Sequence, residues 1–195
     1  MPEPTLADVQ HEFYELYRTH AYSDILTLLD NHAGLFSGRG VLTFYNWKMC
    51  AAALNGDTPL ALAILRDALD NGAYWSEKYL RSDEDLATLQ GNPEFEQLVT
   101  VSNAHQLELQ QNAKPELIVV TPTGNVSAPY PWLMALHGNG SNSRVPAFAD
   151  PWQSAVTRGW LLALPQSGQI VAPDSYVWDD RDWVIREVQQ HITGI

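Results

Sequence analysis

The spacing of apolar residues changes once along this chain, and that change decides which folds are open to it. In the first part the apolar residues, beginning with Leu6 and Val9, recur every three or four positions, as on one face of an α-helix. From Glu116 they come in short continuous runs, which are typical of buried strands. The sequence therefore predicts a helical region, 1–112, followed by an α/β region, 113–195.

One helix of the first region has both of its ends marked in the sequence. Asp57 or Thr58 is a suitable N-cap, and Pro59 fits the first turn. Gly72 fits the position after the last turn, where glycine takes a left-handed conformation. The other helices are expected to begin at Thr5 and Pro93 and to cover 23–32 and 41–54.

Small and large residues follow one another in this helix in the order of a known repeat family. Ala61, Leu65 and Ala68 occupy the small, large and small positions of a tetratricopeptide helix, so the region resembles a tetratricopeptide unit. The first and third helices start about 35 residues apart, close to the roughly 34-residue period of that family. Lys48 and Met49 depart from the family pattern, and an ordinary helical hairpin remains the alternative.

The acidic charge of the chain narrows the range of its partners. The formal net charge is -12 and the isoelectric point is near 4.7. Binding to nucleic acid requires clusters of Lys and Arg that neutralise phosphates. We therefore expect no nucleic-acid partner.

A single cysteine, Cys50, excludes an intrachain disulfide. Cys50 lies in an apolar helical run, which favours a buried, inert thiol over a nucleophile. No Cys/His cluster has metal-ligand spacing, and we expect neither a metal nor another cofactor. The N-terminus lacks the basic and then apolar order of a signal peptide, and no apolar run reaches the roughly 18 to 20 residues that span a bilayer. A cytoplasmic location with no membrane span is the expectation.

A glycine-rich turn follows the second apolar run of the α/β region. In the segment PYPWLMALHGNGSNS, 129–143, a strand-like run ends in His137-Gly138. This segment resembles the strand and loop of α/β-hydrolase esterases, in which backbone N–H groups form an oxyanion hole. The resemblance implies that Asn139 and Gly138 are the catalytic residues, with the N–H of Asn139 as the donor and Gly140 shaping the loop. It implies that His137 orders the loop and is not the general base. A Gly/Asn-rich connection after any strand is the alternative.

The elements that follow this loop extend the resemblance. A helix is expected from Phe148 to Arg158, then the strand WLLALPQSGQ, a loop bearing YVWDD, and a helix over 182–192. In this order they are similar to the carboxylesterase, phospholipase and polyester-depolymerase group of serine esterases, over 116–195. The predicted fold class is therefore α/β: an N-terminal α-helical, tetratricopeptide-like region followed by the first part of an α/β-hydrolase sheet with parallel strands.

The pentapeptide Gly-x-Ser-x-Gly, which presents the catalytic serine in this family, does not occur in the sequence. The nucleophile, acid and base are therefore expected outside this chain, which would stop before the nucleophile and be inactive alone. The serines of this sequence lie outside such a motif, and family order places the acid and histidine after the serine. The weak candidates for nucleophile, acid and base are therefore Ser141, Ser143, Ser154, Ser167, Ser175, Asp174, Asp179, Asp180, Asp182 and His191.

Three functions remain open at this level. The first is the N-terminal part of a serine hydrolase that acts on a small-molecule carboxylic ester or related acyl substrate. The second is a protein–protein interaction module, in which the helical region binds a partner and the hydrolase-like remnant is not catalytic. The third is a degenerate hydrolase that ends naturally at Ile195.

Overall fold

The structure of this chain is a computed structural model. The α/β region predicted over 113–195 ends at Ile195, which lies outside the described residues. The described residues are 4–38, 40–124 and 127–194. Contacts between them divide the chain into two compact units, Met1–His105 and Gln106–Ile195. The division falls inside the last helix of the helical region, a few residues before the predicted boundary at 112/113.

The first unit is built from helices joined by short turns. They are α1 (Leu6–Arg18), α2 (Tyr22–Asn31), α3 (Gly40–Leu54), α4 (Thr58–Asp70), α5 (Glu77–Ser82) and α6 (Pro93–Asn112), with single 3-10 turns at Ala33–Leu35 and Glu84–Leu89. The last residues of α6 belong to the second unit. The helices expected in this unit from the sequence are present within two residues of their predicted limits, while the 3-10 turn at Ala33–Leu35 was not predicted.

The predicted caps are found at the ends of α1 and α4. The Thr5 hydroxyl accepts the Asp8 N–H at 3.3 Å, and the Asp8 carboxylate accepts the Thr5 N–H at 2.8 Å, which completes a capping box. The Asp57 carboxylate accepts the Leu60 N–H at 3.0 Å. Gly72 follows the C-cap with φ 81°, a conformation that favours glycine.

Two apolar clusters form the core of this unit. In one, the Phe13 and Trp47 rings stack with centroids 3.8 Å apart. In the other, α3 packs on α4 through small residues with almost no exposed surface, which lets the two backbones approach closely. These small residues are Ala52, Ala53, Ala61 and Ala68. Ala61 and Ala68, which were compared with the small positions of a tetratricopeptide helix, therefore lie at a contact between two helices.

The second unit has two small sheets with helices between and after their strands. Its strands are β1 (Glu116–Val120), β2 (Trp132–Met134), β3 (Leu161–Gln166), β4 (Gln169–Ala172) and β5 (Ser175–Val177). Its helices are α7 (Pro146–Ala149), α8 (Gln153–Thr157) and α9 (Arg181–Thr193). Its apolar core is formed around Ala135, Val156, Leu162 and Leu164.

The strands of the larger sheet run in both directions, where the sequence predicted parallel strands. The order is β1-β3-β2, with β2 parallel to β3 and β1 antiparallel to β3. Parallel neighbours require a crossover connection, and α7 and α8 supply one between β2 and β3. The helical segment expected between two parallel strands therefore connects β2 and β3. The antiparallel direction of β1 was not predicted.

Two local predictions in this unit were wrong. The helix expected over 148–158 is divided into α7, a 3-10 turn at Asp150–Trp152, and α8. Pro151 lies in its middle, where proline lacks the N–H that a continuous helix needs. The expected loop before α9 contains the antiparallel hairpin of β4 and β5. Its turn contains Pro173 and Asp174, a turn signal that sequence reasoning overlooked.

The N-cap of α4 gives a direct test of this local structure. Asp57→Ala removes the acceptor for the Leu60 N–H and should lower the free energy of unfolding by about 1 kcal/mol. The matched control is Asp70→Ala at the other end of the same helix, where an exposed carboxylate faces the negative end of the helix dipole. The control should be neutral or slightly stabilising in urea unfolding. Equal losses from both substitutions would contradict the capping role.

Candidate functional site

The loop that follows β2 presents exposed backbone next to a buried histidine. His137 is only 2% exposed, whereas Gly138, Asn139 and Gly140 are exposed. The backbone carbonyl of His137 accepts the indole N–H of Trp178 at 3.1 Å. The chain therefore leaves the sheet with its histidine fixed inside and its glycine-rich turn facing solvent. We call residues 137–143 the 137–143 loop.

The hydrogen bonds of the His137 ring define which nitrogen carries the proton. Nε2 faces the backbone N–H of Ser167 at 3.3 Å and the side-chain amide nitrogen of Gln166 at 3.3 Å. A backbone N–H can only donate, so Nε2 accepts and a neutral ring carries its proton on Nδ1. Nδ1 lies 3.0 Å from the carbonyl oxygen of Gly138 and donates to it.

This arrangement orients the peptide between Gly138 and Asn139. The Gly138 carbonyl accepts from the His137 ring and also from the N–H of Ser141 at 3.2 Å. In a trans peptide the N–H points opposite to the carbonyl, so the N–H of Asn139 is directed away from the buried ring. Among the described residues this N–H has no hydrogen-bond partner. The loop thus presents one outward, available backbone donor.

Behind the ring, the end of β3 is held by buried polar groups. The Gln166 side-chain oxygen accepts the N–H of Ser143 at 3.0 Å, which ties β3 to the end of the 137–143 loop. The Ser167 hydroxyl accepts the N–H of Gln169 at 3.0 Å. The Gln169 side-chain oxygen in turn accepts the N–H of Asp180, the N-cap of α9. One network therefore joins the loop, the β3–β4 turn and α9.

A buried carboxylate closes this network. Glu187 of α9 is 2% exposed and accepts the N–H of Gly168 at 3.0 Å and the hydroxyl of Ser167 at 3.5 Å. Burial raises the pKa of Glu187 above its ordinary value, and these hydrogen bonds oppose that rise. A Cβ at Gly168 would lie 2.6 Å from the Glu187 carboxylate and 3.3 Å from Pro115. Only glycine fits there without a shift of its neighbours.

Two of the serines named from the sequence belong to this buried network. Ser143 and Ser167 are buried, and their hydroxyls bond to Gln166 and Glu187. The Nε2 atom of His137 accepts the backbone N–H of Ser167. The remaining serines lie in the loop (Ser141), on α8 (Ser154) and in β5 (Ser175).

The acidic residues near α9 are found at the positions expected for a loop and a helix start. The Asp180 carboxylate caps α9 by accepting the N–H of Trp183 at 2.9 Å, and Asp182 lies in the first turn. Asp179 precedes the cap, and Asp174 lies in the β4–β5 turn with φ 54°. His191 is buried near the end of α9, and burial lowers its pKa.

Sequence reasoning missed Gln166, Glu187 and Trp178 as parts of this site. For Glu187 a signal was available, because Trp183, Glu187 and His191 recur at intervals of four and so share one face of α9. An acidic residue on the same face as a tryptophan indicates a buried carboxylate. The roles of Gln166 and Trp178 depend on contacts between distant segments, which spacing alone does not reveal.

One group of side chains in the first unit has the composition of a metal site. The ligand atoms of Cys50, Asp83 and Asp85 lie within 4.8 Å of one another. The Cys50 thiol donates to Asp83 at 3.7 Å, and the Tyr17 hydroxyl donates to Asp85 at 2.7 Å. Burial raises the pKa of the Cys50 thiol, which keeps the thiol protonated, and it also raises the pKa of Asp83. Cys50 is buried, as the apolar run around it predicts.

A family model supplies the classification of the chain. The family described as "A/B hydrolase-like, N-terminal domain" matches residues 7–110, more than half of the chain. The chain therefore belongs to the family of A/B hydrolase-like N-terminal domains. The match covers α1 to α5 and nearly all of α6, the helices that were compared with a tetratricopeptide unit. It establishes a relationship to α/β-hydrolase-like proteins.

A solved structure is similar over nearly the whole chain. It is the 2.75 Å crystal structure of an uncharacterized protein from Bacillus cereus ATCC 10987, with 26% sequence identity and a TM-score of 0.49. The similarity covers 98% of this chain and 60% of that chain, so the present chain spans 60% of the length of this relative. No curated protein matches this chain.

Among the described residues, no helix is both long and apolar enough to cross a membrane.

Two glycines of this unit should respond differently to the same substitution. Gly168→Ala places a Cβ against Glu187 and Pro115 and should lower the free energy of unfolding by about 1 to 3 kcal/mol. Gly138→Ala meets nothing within 4 Å and should leave stability unchanged. Thermal unfolding of both variants beside the parent chain measures the difference. A stable Gly168→Ala variant would show that the carboxylate does not hold the turn closely.

Proposed function

We propose that this chain is the N-terminal part of a serine hydrolase that acts on carboxylic esters, and that the 137–143 loop supplies a donor of its oxyanion hole. The observation that supports the proposal most is the orientation of the peptide between Gly138 and Asn139. Its carbonyl is held inward by His137, and its N–H is available at the surface. A fixed N–H at a strand end suits a group that must meet developing negative charge.

The chemistry of acyl transfer explains why such a donor matters. Attack on an ester carbonyl moves negative charge onto the carbonyl oxygen in a tetrahedral intermediate. A backbone N–H that already points at this oxygen stabilises the charge without rearrangement, at about 2.7 to 4 kcal/mol per donor. In this role Asn139 donates through its main chain, while His137 and Ser141 hold the peptide in place from the other side.

The remaining catalytic groups are assigned to residues outside this sequence. Nucleophile, acid and base would come from other parts of a longer protein, because the 195 residues contain no Gly-x-Ser-x-Gly motif. The match of residues 7–110 to a hydrolase-associated N-terminal domain supports this function over that of a free-standing interaction module.

The first test concerns the chain by itself. Residues 1–195 should hydrolyse p-nitrophenyl acetate no faster than background, because an oxyanion donor without nucleophile and base cannot form an acyl-enzyme. A fluorophosphonate probe should leave the purified chain unlabelled. Turnover that persists through purification and is titrated by the probe would place a reactive serine within this sequence and refute the division of roles.

The second test concerns the main-chain donor. In a protein that joins this chain to the nucleophile, acid and base, Asn139→Pro should lower turnover about 10²- to 10³-fold, the cost of one oxyanion donor. Asn139→Ala keeps the N–H and should retain most of the activity. Proline lacks the N–H and fixes φ near −65°, so it removes the donor itself.

Melting temperatures of both variants separate catalysis from stability. The proposal predicts that the proline variant loses turnover under conditions in which it remains folded. Equal losses of turnover from alanine and proline, or a proline effect explained by unfolding, would show that Asn139 is not the donor.

A further inference from the structure

Glu187 is a buried carboxylate that the proposed mechanism does not use. It lies on the inner face of α9 beside Trp183, and its carboxylate is almost fully shielded from water. Burying an ionisable group costs free energy unless its oxygens are well hydrogen-bonded. Its donors are the N–H of Gly168 and the hydroxyl of Ser167, which belong to the turn between β3 and β4, and the side chain of Trp183 on α9 itself. Two of the three donors therefore connect Glu187 to that turn.

The turn is also held from a second direction. The side-chain amide of Gln110, in the last part of α6, donates to the Gly168 carbonyl at 2.6 Å and accepts the N–H of Ile170 at 2.9 Å. Glu187 holds the N–H of the same glycine, so both backbone polar groups of Gly168 are fixed. The position of Ser167, directly before it, is set as a consequence.

Ser167 transmits this restraint to the imidazole. Its N–H bonds to Nε2 of His137 and requires that nitrogen to accept. If the turn shifts, Nε2 loses the Ser167 N–H and keeps only the Gln166 side-chain amide, which also donates to it but is held by a rotatable side chain. When that contact is lost as well, the proton can move from Nδ1 to Nε2. The ring then no longer donates to the Gly138 carbonyl, and the following peptide loses the contact that directs the Asn139 N–H outward.

We propose that Glu187 is a positioning residue for the 137–143 loop, acting through the Ser167–Gly168 turn and the His137 ring. Its role in catalysis rests on the proposed oxyanion function of that loop. The carboxylate does not touch the reacting atoms in this scheme. Together with the Gln166 amide it favours one tautomer of His137, and that tautomer holds one orientation of the Gly138–Asn139 peptide.

The substitutions that test this role differ in what they keep. Glu187→Gln keeps the shape and an oxygen that can accept the Gly168 N–H. Glu187→Leu keeps apolar bulk on α9 and removes both acceptors. Gln189→Leu introduces the same side chain at an exposed position of the same helix and is the matched control.

The primary readout is the ¹⁵N NMR spectrum of the His137 ring in residues 1–195, recorded at about pH 8, where an ordinary histidine is neutral. The parent chain, Glu187→Gln and Gln189→Leu should each show one protonated nitrogen, Nδ1, and one acceptor nitrogen, Nε2. Glu187→Leu should lose this separation, with both signals moving toward the average of two tautomers. In a protein that carries the nucleophile, the same variant should lose kcat with little change in KM, because the donor acts in the transition state.

Each result decides the proposal. Parental ring signals in a folded Glu187→Leu variant, even one that melts earlier, would show that the carboxylate is only structural. If that variant does not fold, the parent chain still gives a decision, because a ring protonated on Nε2 or averaged between tautomers overturns the scheme. If the tautomer responds as expected but the Asn139 variants have equal turnover, the positioning stands and the oxyanion function fails.

Discussion

The hydrogen bond from the Ser167 N–H to Nε2 of His137 connects the second unit's separate elements into one arrangement. On one side of the imidazole lie the end of β3 and the turn held by Glu187 and Gln110. On the other side lies the exposed glycine-rich turn. Because the donor is a main-chain group, its direction depends on backbone geometry and not on a side-chain rotamer. The orientation of the exposed peptide follows from the position of a strand end.

This arrangement uses buried polar groups where apolar residues would be simpler to pack. Gln166 and Glu187 are nearly inaccessible to water, and their hydrogen bonds lead to the 137–143 loop or to the turn behind it. The hydrogen bonds of these two side chains restrict the arrangement of the network, although the buried side-chain nitrogen of Gln169 has no partner among the described residues. Such a network is suited to a loop that must hold a defined geometry at the surface. The helical unit, in contrast, has cores made mostly of apolar side chains.

The fold was more predictable from the sequence than the site. Helix limits followed from capping residues such as Asp57, because caps act over three or four positions. The 137–143 loop was identified from the residues after an apolar run. The antiparallel pairing of β1 and the contacts of Gln166 were beyond reach, since both join segments far apart in the sequence. Pro151 was a local signal for the break in the helix, and Asp174 was one for the β4–β5 turn. Both were missed because the prediction followed the order of elements in the resembling family.

The tight fit at Gly168 has a consequence for how related sequences can differ. A side chain at this position meets the Glu187 carboxylate on α9 and Pro115 just before β1. Substitution of any one of these three residues changes the space available to the other two. They should therefore vary together among relatives: a chain with a larger residue in place of Gly168 needs a shorter one in place of Glu187. Three positions separated by up to 72 residues would then behave in evolution as a single coupled unit.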